Sequence, residues 1–324
     1  MQSPLPLAEA RPLPHGATAR RLGWVHLPPS VRRRVEQRLG SAVVAAESQG
    51  SGYTPGVAAR LVTESGERAF LKAANHKAQR QIAAAYAEEA RKLRLLPVER
   101  LPVPRLRWTD EVDHWVVLVI EDVEARNPRR PWDRDELVRC LDALATVDAV
   151  MSGTAPGFPL VPLHHDLPTL LTGWDRIAEE TPDWPHLAEA RDLARSYAEL
   201  PDSDHFVHTD ARDDNFLLTD DGRTLLCDWN WPALGPRWMD AVNLLVSARA
   251  DGLAVDDLLA EHPLTSGAPT DAVDAWLAAL CGFMVEADLR PVPRSSPYLG
   301  VHRRWWAAAL WDWLCERRSW SPAG

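Results

Sequence analysis

The chain has 324 residues, 46% hydrophobic and 25% charged, with a net charge of −10 at pH 7. That is an ordinary globular composition, long enough for two lobes, and its acidic balance argues against nucleic acid as a partner, since a phosphate backbone needs a basic footprint. The four cysteines are scattered without a CxxC pair, and the longest strongly apolar run, Ala275 to Val285, is too short to span a bilayer, so the expectation is reduced thiols, no membrane partner and a cytoplasmic location.

Residues 1–20 are proline-rich and without periodicity, which predicts poor order. A short basic helix over Val31 to Leu39, stopped by Gly40, completes an N-terminal extension over 1–40. Strand patterns follow at Ser41 to Ala46, Val57 to Thr63 and Arg68 to Ala73. A glycine-rich loop with Gly50, Gly52 and Gly56 joins the first two, and Lys72 lies on the third. Backbone N–H groups in such a loop can cradle phosphates, and the lysine on the next strand strengthens that reading. Only three lysines occur in the chain, Lys72, Lys77 and Lys92, against an arginine-rich background. A helix over His76 to Leu95 carries Glu88 and Glu89, either of which can reach Lys72; Leu93, one turn on from Glu89, favours the latter. Strands at Pro104 to Trp108 and Trp115 to Ile120 are joined by a turn at Asp110 to Asp113. The acidic Glu121-Asp122-Val123 then leads into a proline-rich stretch, which places a lobe boundary near residue 122, between an N-lobe over 41–121 and a C-lobe over 122–324.

The C-lobe reads as mainly helical, with helices over Asp133 to Met151, Leu167 to Glu179 and Leu187 to Leu200, and then Met239 to Ala250, Val255 to Glu261, Thr270 to Glu286 and Val301 to Arg318. His164-His165-Asp166 reads as a loop; as a metal site it would suit a phosphohydrolase, but no further ligand set accompanies it. The last helix is dense in tryptophan, and Trp306 and Trp313 share one face, as core or cleft lining before any stacking role. Asp251, Glu286 and Asp288 are acidic groups that could hold a cationic substrate.

The stretch richest in chemistry is His205 to Asp228. Asp210 and Asn215 fit one loop, and Phe216-Leu217-Leu218, a Thr219 to Gly222 turn and Thr224 to Cys227 read as a hairpin. The hairpin returns Asp228 to the side of Asn215 and Asp210, an oxygen-rich group that suits a divalent cation. Downstream, Asp240 can cap its helix or bond loop backbone.

Glycine-rich hairpin, strand lysine, helix glutamate, hinge, His-x-Asp-x4-Asn and a later Asp follow in an order that resembles the aminoglycoside phosphotransferase (APH)-like family of the protein-kinase-like superfamily, over roughly residues 40–320. HTDARDDNFLL is similar to that family's H-G-D-x-x-x-x-N loop, Leu226 to Trp229 to its Ile-Asp-Trp, and Gly235 to Asp240 to its Gly-Asp-Pro-x-x-Asp segment. Arg212-Asp213-Asp214 and Gly235-Pro236-Arg237 depart from the pattern, which leaves the acceptor open. The resemblance implies an α+β, bilobal fold with a small β-rich N-lobe and a mainly helical C-lobe. It implies ATP or GTP bound by Gly50, Gly52, Lys72 and Glu89 with Ile120 and Val123 at the hinge, Mg²⁺ on Asn215 and Asp228, and Asp210 as base. Arg212 is an added candidate for neutralising the transferred phosphoryl group, its alternative a salt bridge to Asp213 or Asp214. The implied activity is transfer of a γ-phosphate to a small-molecule hydroxyl, for example of an aminoglycoside or related antibiotic, by a monomer or homodimer. A non-catalytic nucleotide-binding module is the alternative.

Overall fold

The structure, a computed structural model, describes residues 7–10, 18–201 and 203–321. The expectation for residues 1–20 therefore lies largely outside the described residues, although Leu7 to Ala10, which include a short 3-10 turn over Leu7–Glu9, and Thr18 to Arg20 are placed. Helix α1 (Pro29–Leu39) begins with proline, whose fixed φ suits the first turn, and ends at Gly40 with φ 72°. Its Val31, Val35 and Leu39 are buried with Trp24 and Leu27 against one face of a sheet.

That sheet contains β1 (Val43–Ser48), β2 (Val57–Thr63), β3 (Arg68–Asn75), β4 (Leu106–Val112) and β5 (Trp115–Ile120), in the order β1-β2-β3-β5-β4 and antiparallel throughout. Alternation along β3 sends Ala69, Leu71 and Ala73 into the core shared with α1. Phe70 and Lys72 therefore emerge on the opposite face, with Lys72 paired in register with Ala58 and Leu118. The β4–β5 turn is tighter than its sequence suggests: Asp110 to Val112 remain paired, and Asp113 and His114 alone turn the chain, at φ 47° and 68°. Helix α2 (Arg80–Leu95) starts later than expected, because the Asn75 side chain accepts the N–H groups of Lys77 and Ala78 and holds that segment as a turn.

The C-lobe opens with α3 (Arg134–Met151), capped by Asp133, which accepts from the N–H groups of Asp135 and Glu136. The segment expected as a loop around His164 is a single helical turn, α4 (Leu163–Asp166), started by Pro162. Then come α5 (Thr169–Glu180) and α6 (Leu187–Ser196). Strand β6 (His205–Val207) leads into the polar loop, and β7 (Phe216–Leu218) pairs with β8 (Thr224–Leu226) as the predicted hairpin. Strand β9 (Ala233–Gly235) returns to pair with β6. Helices α7 (Met239–Ala250), α8 (Asp256–Glu261), α9 (Thr270–Asp288) and α10 (Leu299–Arg318) complete the lobe. Trp305, Trp306, Trp311 and Trp313 of α10 are all buried in its core. The fold is thus α+β, an antiparallel sheet N-terminally and helices C-terminally. Among the described residues no helix is long and apolar enough to cross a membrane.

Candidate active site

A cleft of about 280 Å³ lies between the sheet and the polar loop, lined among others by Gly52, Ala58, Lys72, Ile120, Val123, Asn215, Leu217 and Asp228. The β1–β2 loop forms one wall, turning at Gly52 with φ 77°. Gly50 plays a different local part: its carbonyl accepts the N–H groups of Thr18 and Ala19. Gly56 is required by a close approach, since a Cβ there would collide with the Tyr86 ring of α2.

Lys72 is buried, and its Nζ donates to both oxygens of Glu89 at 2.8 Å. It also pairs with Asp228 Oδ1 across the cleft. Glu88 faces the other way, toward Arg91 and Lys92. Burial alone would lower the Lys72 pKa, but the carboxylates of Asp228 and Glu89 hold it well above its ordinary value. Burial would raise the Asp228 carboxyl; the Lys72 ammonium, with Arg21 and Arg212, keeps it below the ordinary range.

The loop between β6 and β7 is built around two buried groups. Asp240 of α7 does not cap its own helix. It accepts the N–H of His208 at 2.6 Å and of Thr209 at 3.0 Å, which fixes Thr209 at φ 70°. Burial pushes its carboxyl up to about 7, against those two hydrogen bonds. His208 Nε2–H donates to the Cys227 carbonyl at 2.9 Å, so Nδ1 is the acceptor for the Asp210 N–H at 3.3 Å. Burial lowers the His208 pKa, which suits a neutral ring that both donates and accepts. His208 is thus the strut between the Asp210 loop and the strand leading to Asp228.

Asn215 Nδ2 donates to Asp210 O at 2.8 Å and Oδ2 at 3.0 Å. Its Oδ1 accepts from no described residue, leaving an oxygen in the cleft wall shared with Asp228. Arg212 takes the salt-bridge geometry: Nε lies 3.1 Å from Asp214 Oδ1 and 3.4 Å from Asp210 Oδ1. Its charge is thus balanced by carboxylates, and Asp213 pairs instead with Arg130. Among the described residues no three His, Cys, Asp or Glu side chains gather as a metal-ligand group, which leaves the His164–Asp166 reading without a ligand set. The acidic groups proposed for a cationic substrate are each matched by an arginine: Asp251 by Arg130, Glu286 by Arg290, Asp288 by Arg304.

Two residues of the site have no sequence signal. Arg21, from the stretch preceding α1, lines the cleft. Tyr53, at the tip of the glycine-rich loop, reaches the C-lobe: its ring lies 4.3 Å from His302 and 5.5 Å from the Arg212 guanidinium carbon, and its carbonyl accepts from Ser296 Oγ at 2.5 Å. Burial, then Arg212, holds the His302 pKa well below 6.5. The unfolded chain therefore takes up a proton there as the pH falls below that value and the folded chain does not, so stability falls toward acid by up to about 1.4 kcal/mol per pH unit. The expected outcome is that His302→Phe has a flatter stability profile between about pH 5 and 6.5 than the parent, read by urea unfolding.

The model of the phosphotransferase enzyme family, APH, matches residues 50–276. No curated protein sequence matches the chain. Among solved structures, it is similar to a thermostable mutant of aminoglycoside phosphotransferase APH(4)-Ia in its apo form, at 16% identity, over 89% of this chain and 98% of that one, with a TM-score of 0.63. The ternary complex of that phosphotransferase with ADP and hygromycin B has a TM-score of 0.62, at 16% identity over 90% and 99% of the two chains. Choline kinase LicA from Streptococcus pneumoniae gives 15% identity, 87% and 98% coverage and a TM-score of 0.58. At such identities the likeness is one of fold. The family match covers well over half of the chain, and the protein belongs to the APH family of phosphotransferase enzymes.

Proposed function

We propose that the protein is an ATP-dependent kinase that transfers the γ-phosphate to a hydroxyl of a small molecule. The observation that carries this reading is the Lys72 ammonium held between Glu89 and Asp228, with Asn215 and Asp210 joined beside it. Phosphoryl transfer has a loose, highly charged transition state, so the work of the site is positioning and charge neutralisation. Lys72, braced by Glu89, holds phosphate oxygens beneath the Gly50–Gly56 loop, and Ile120 and Val123 flank the base. Asn215 Oδ1 and Asp228 would supply two hard oxygen donors of the kind Mg²⁺ takes. Bound there, Mg²⁺ supplies charge neutralisation on the phosphate oxygens. Asp210 orients the acceptor hydroxyl and takes its proton.

The acceptor belongs to the hydroxyl compounds met by the similar structures, an aminoglycoside or related antibiotic among them. Asp251, Glu286 and Asp288 are each already paired with an arginine, so none of them is proposed as the anchor of a cationic acceptor. A phosphate-transfer screen from ATP and from GTP to aminoglycosides, choline and other alcohols tests the reading. Asp228→Asn is the control, because asparagine tolerates the φ of 62° at this position better than alanine. The expected outcome is Mg²⁺-dependent transfer to at least one acceptor, lost in Asp228→Asn. Absence of any Mg²⁺-dependent nucleotide binding by the parent protein sinks the proposal.

A further inference from the structure

Arg21 precedes the stretch matched by the family model, yet it reaches the cleft. Its segment is tied down on both sides. Thr18 N and Ala19 N donate to Gly50 O at 2.8 and 3.3 Å, Thr18 Oγ1 bonds Gly52 O, and Arg20 N donates to Ser295 O at 3.1 Å. Arg21 Nη2 donates to Ser51 O at 2.5 Å and would lie 3.1 Å from a Cβ on Gly52. Its Nε is buried and has no partner among the described residues. The guanidinium thus stands in the cleft wall on the side of the glycine-rich loop, held there by the Ser51 carbonyl.

Charge points the same way. Lys72 faces two carboxylates, Glu89 and Asp228, so this trio carries a formal −1 where a polyphosphate is to sit. Arg21 lines the same cleft and brings that sum to zero. We propose that Arg21 is a second phosphate-holding cation of the nucleotide site, working from the glycine-rich loop opposite Lys72. A guanidinium offers its N–H groups as a planar fork that matches phosphate oxygens, and the bond to Ser51 engages Nη2 alone. The segment before α1 thereby becomes part of the nucleotide site.

This inference rests on the kinase reading, and titration calorimetry separates the two. ATP, ADP and adenosine are titrated into the parent, Arg21→Gln and Arg21→Lys, with thermal unfolding to confirm that each variant is folded. The expected outcome is that Arg21→Gln weakens ATP and ADP by about tenfold or more, leaves adenosine unchanged, and is partly rescued by Arg21→Lys. Parental ATP affinity in Arg21→Gln overturns the inference alone. So does an equal loss for adenosine and ATP, which would make Arg21 only a clamp on the loop backbone. If the parent binds none of the three ligands, the kinase reading falls and this inference falls with it.

Discussion

Asp210→Asn is expected to lower the kcat of phosphoryl transfer by about 10²–10⁴-fold, the range for removal of a general base, with nucleotide affinity unchanged. The substitution keeps the shape of a side chain that meets Asn215 at 3.0 Å and Arg212 at 3.4 Å. What it removes is the charge and the proton-accepting oxygen. Because Asp210 is absent from the cleft wall that Lys72, Asn215 and Asp228 share, the loss belongs in kcat. Steady-state kinetics on the best acceptor, with nucleotide titration alongside, give the answer. Parental turnover would remove Asp210 from the chemistry. An equal fall in nucleotide affinity would show that it acts by holding Asn215 in place.

The largest expected effect on stability lies far from the chemistry. Helices α5 and α9 cross at Gly173 and Gly282, where a Cβ on Gly173 would sit 2.7 Å from the Gly282 carbonyl oxygen and 2.8 Å from its carbon. Both are backbone atoms, so no flexible side chain can yield. Next to them, Trp174 Nε1 donates to the Ala278 carbonyl at 2.9 Å, and the Trp174 ring is fully buried. Alanine in place of glycine within a helix is worth about 1 kcal/mol in propensity, whereas overpacking a closed core costs about 1–3 kcal/mol and occasionally more. Here the clash is with main chain, so it wins. Gly173→Ala should lower the thermal midpoint by several degrees, measured by far-UV circular dichroism. A raised midpoint would mean that the helices part at little cost.

Much of this molecule is local and was therefore legible in its sequence. The ends of β2 and β5 and the whole of α7 follow from apolar period and turn residues alone. The β7–β8 hairpin was legible because its turn and both arms are contiguous, and it does bring Asp228 to the cleft wall beside Asn215. Where a feature depends on distant partners, the pattern says nothing. Strands β6 and β9 are three residues each and pair across the whole intervening loop and hairpin. Asp240 reads equally well as a helix cap or a loop brace until the positions of the His208 and Thr209 N–H groups are known. Asp251 looks like a free carboxylate until Arg130, far away in the chain, is folded against it. Arg21 stands in a segment with no period at all, held by bonds from Thr18, Ala19 and its own side chain to a loop about 30 residues on.

The scarcity of lysine acquires a practical meaning once the three are located. Lys72 is buried in the cleft, and Lys92 is buried with its Nζ on the Asn230 carbonyl at 2.6 Å. Lys77 alone is exposed, in the turn before α2. Amine-directed attachment of a dye, a tether or a surface therefore meets a single accessible lysine in the folded protein. It lies outside the cleft lining, so a label placed there spares the Lys72 ammonium within the cleft.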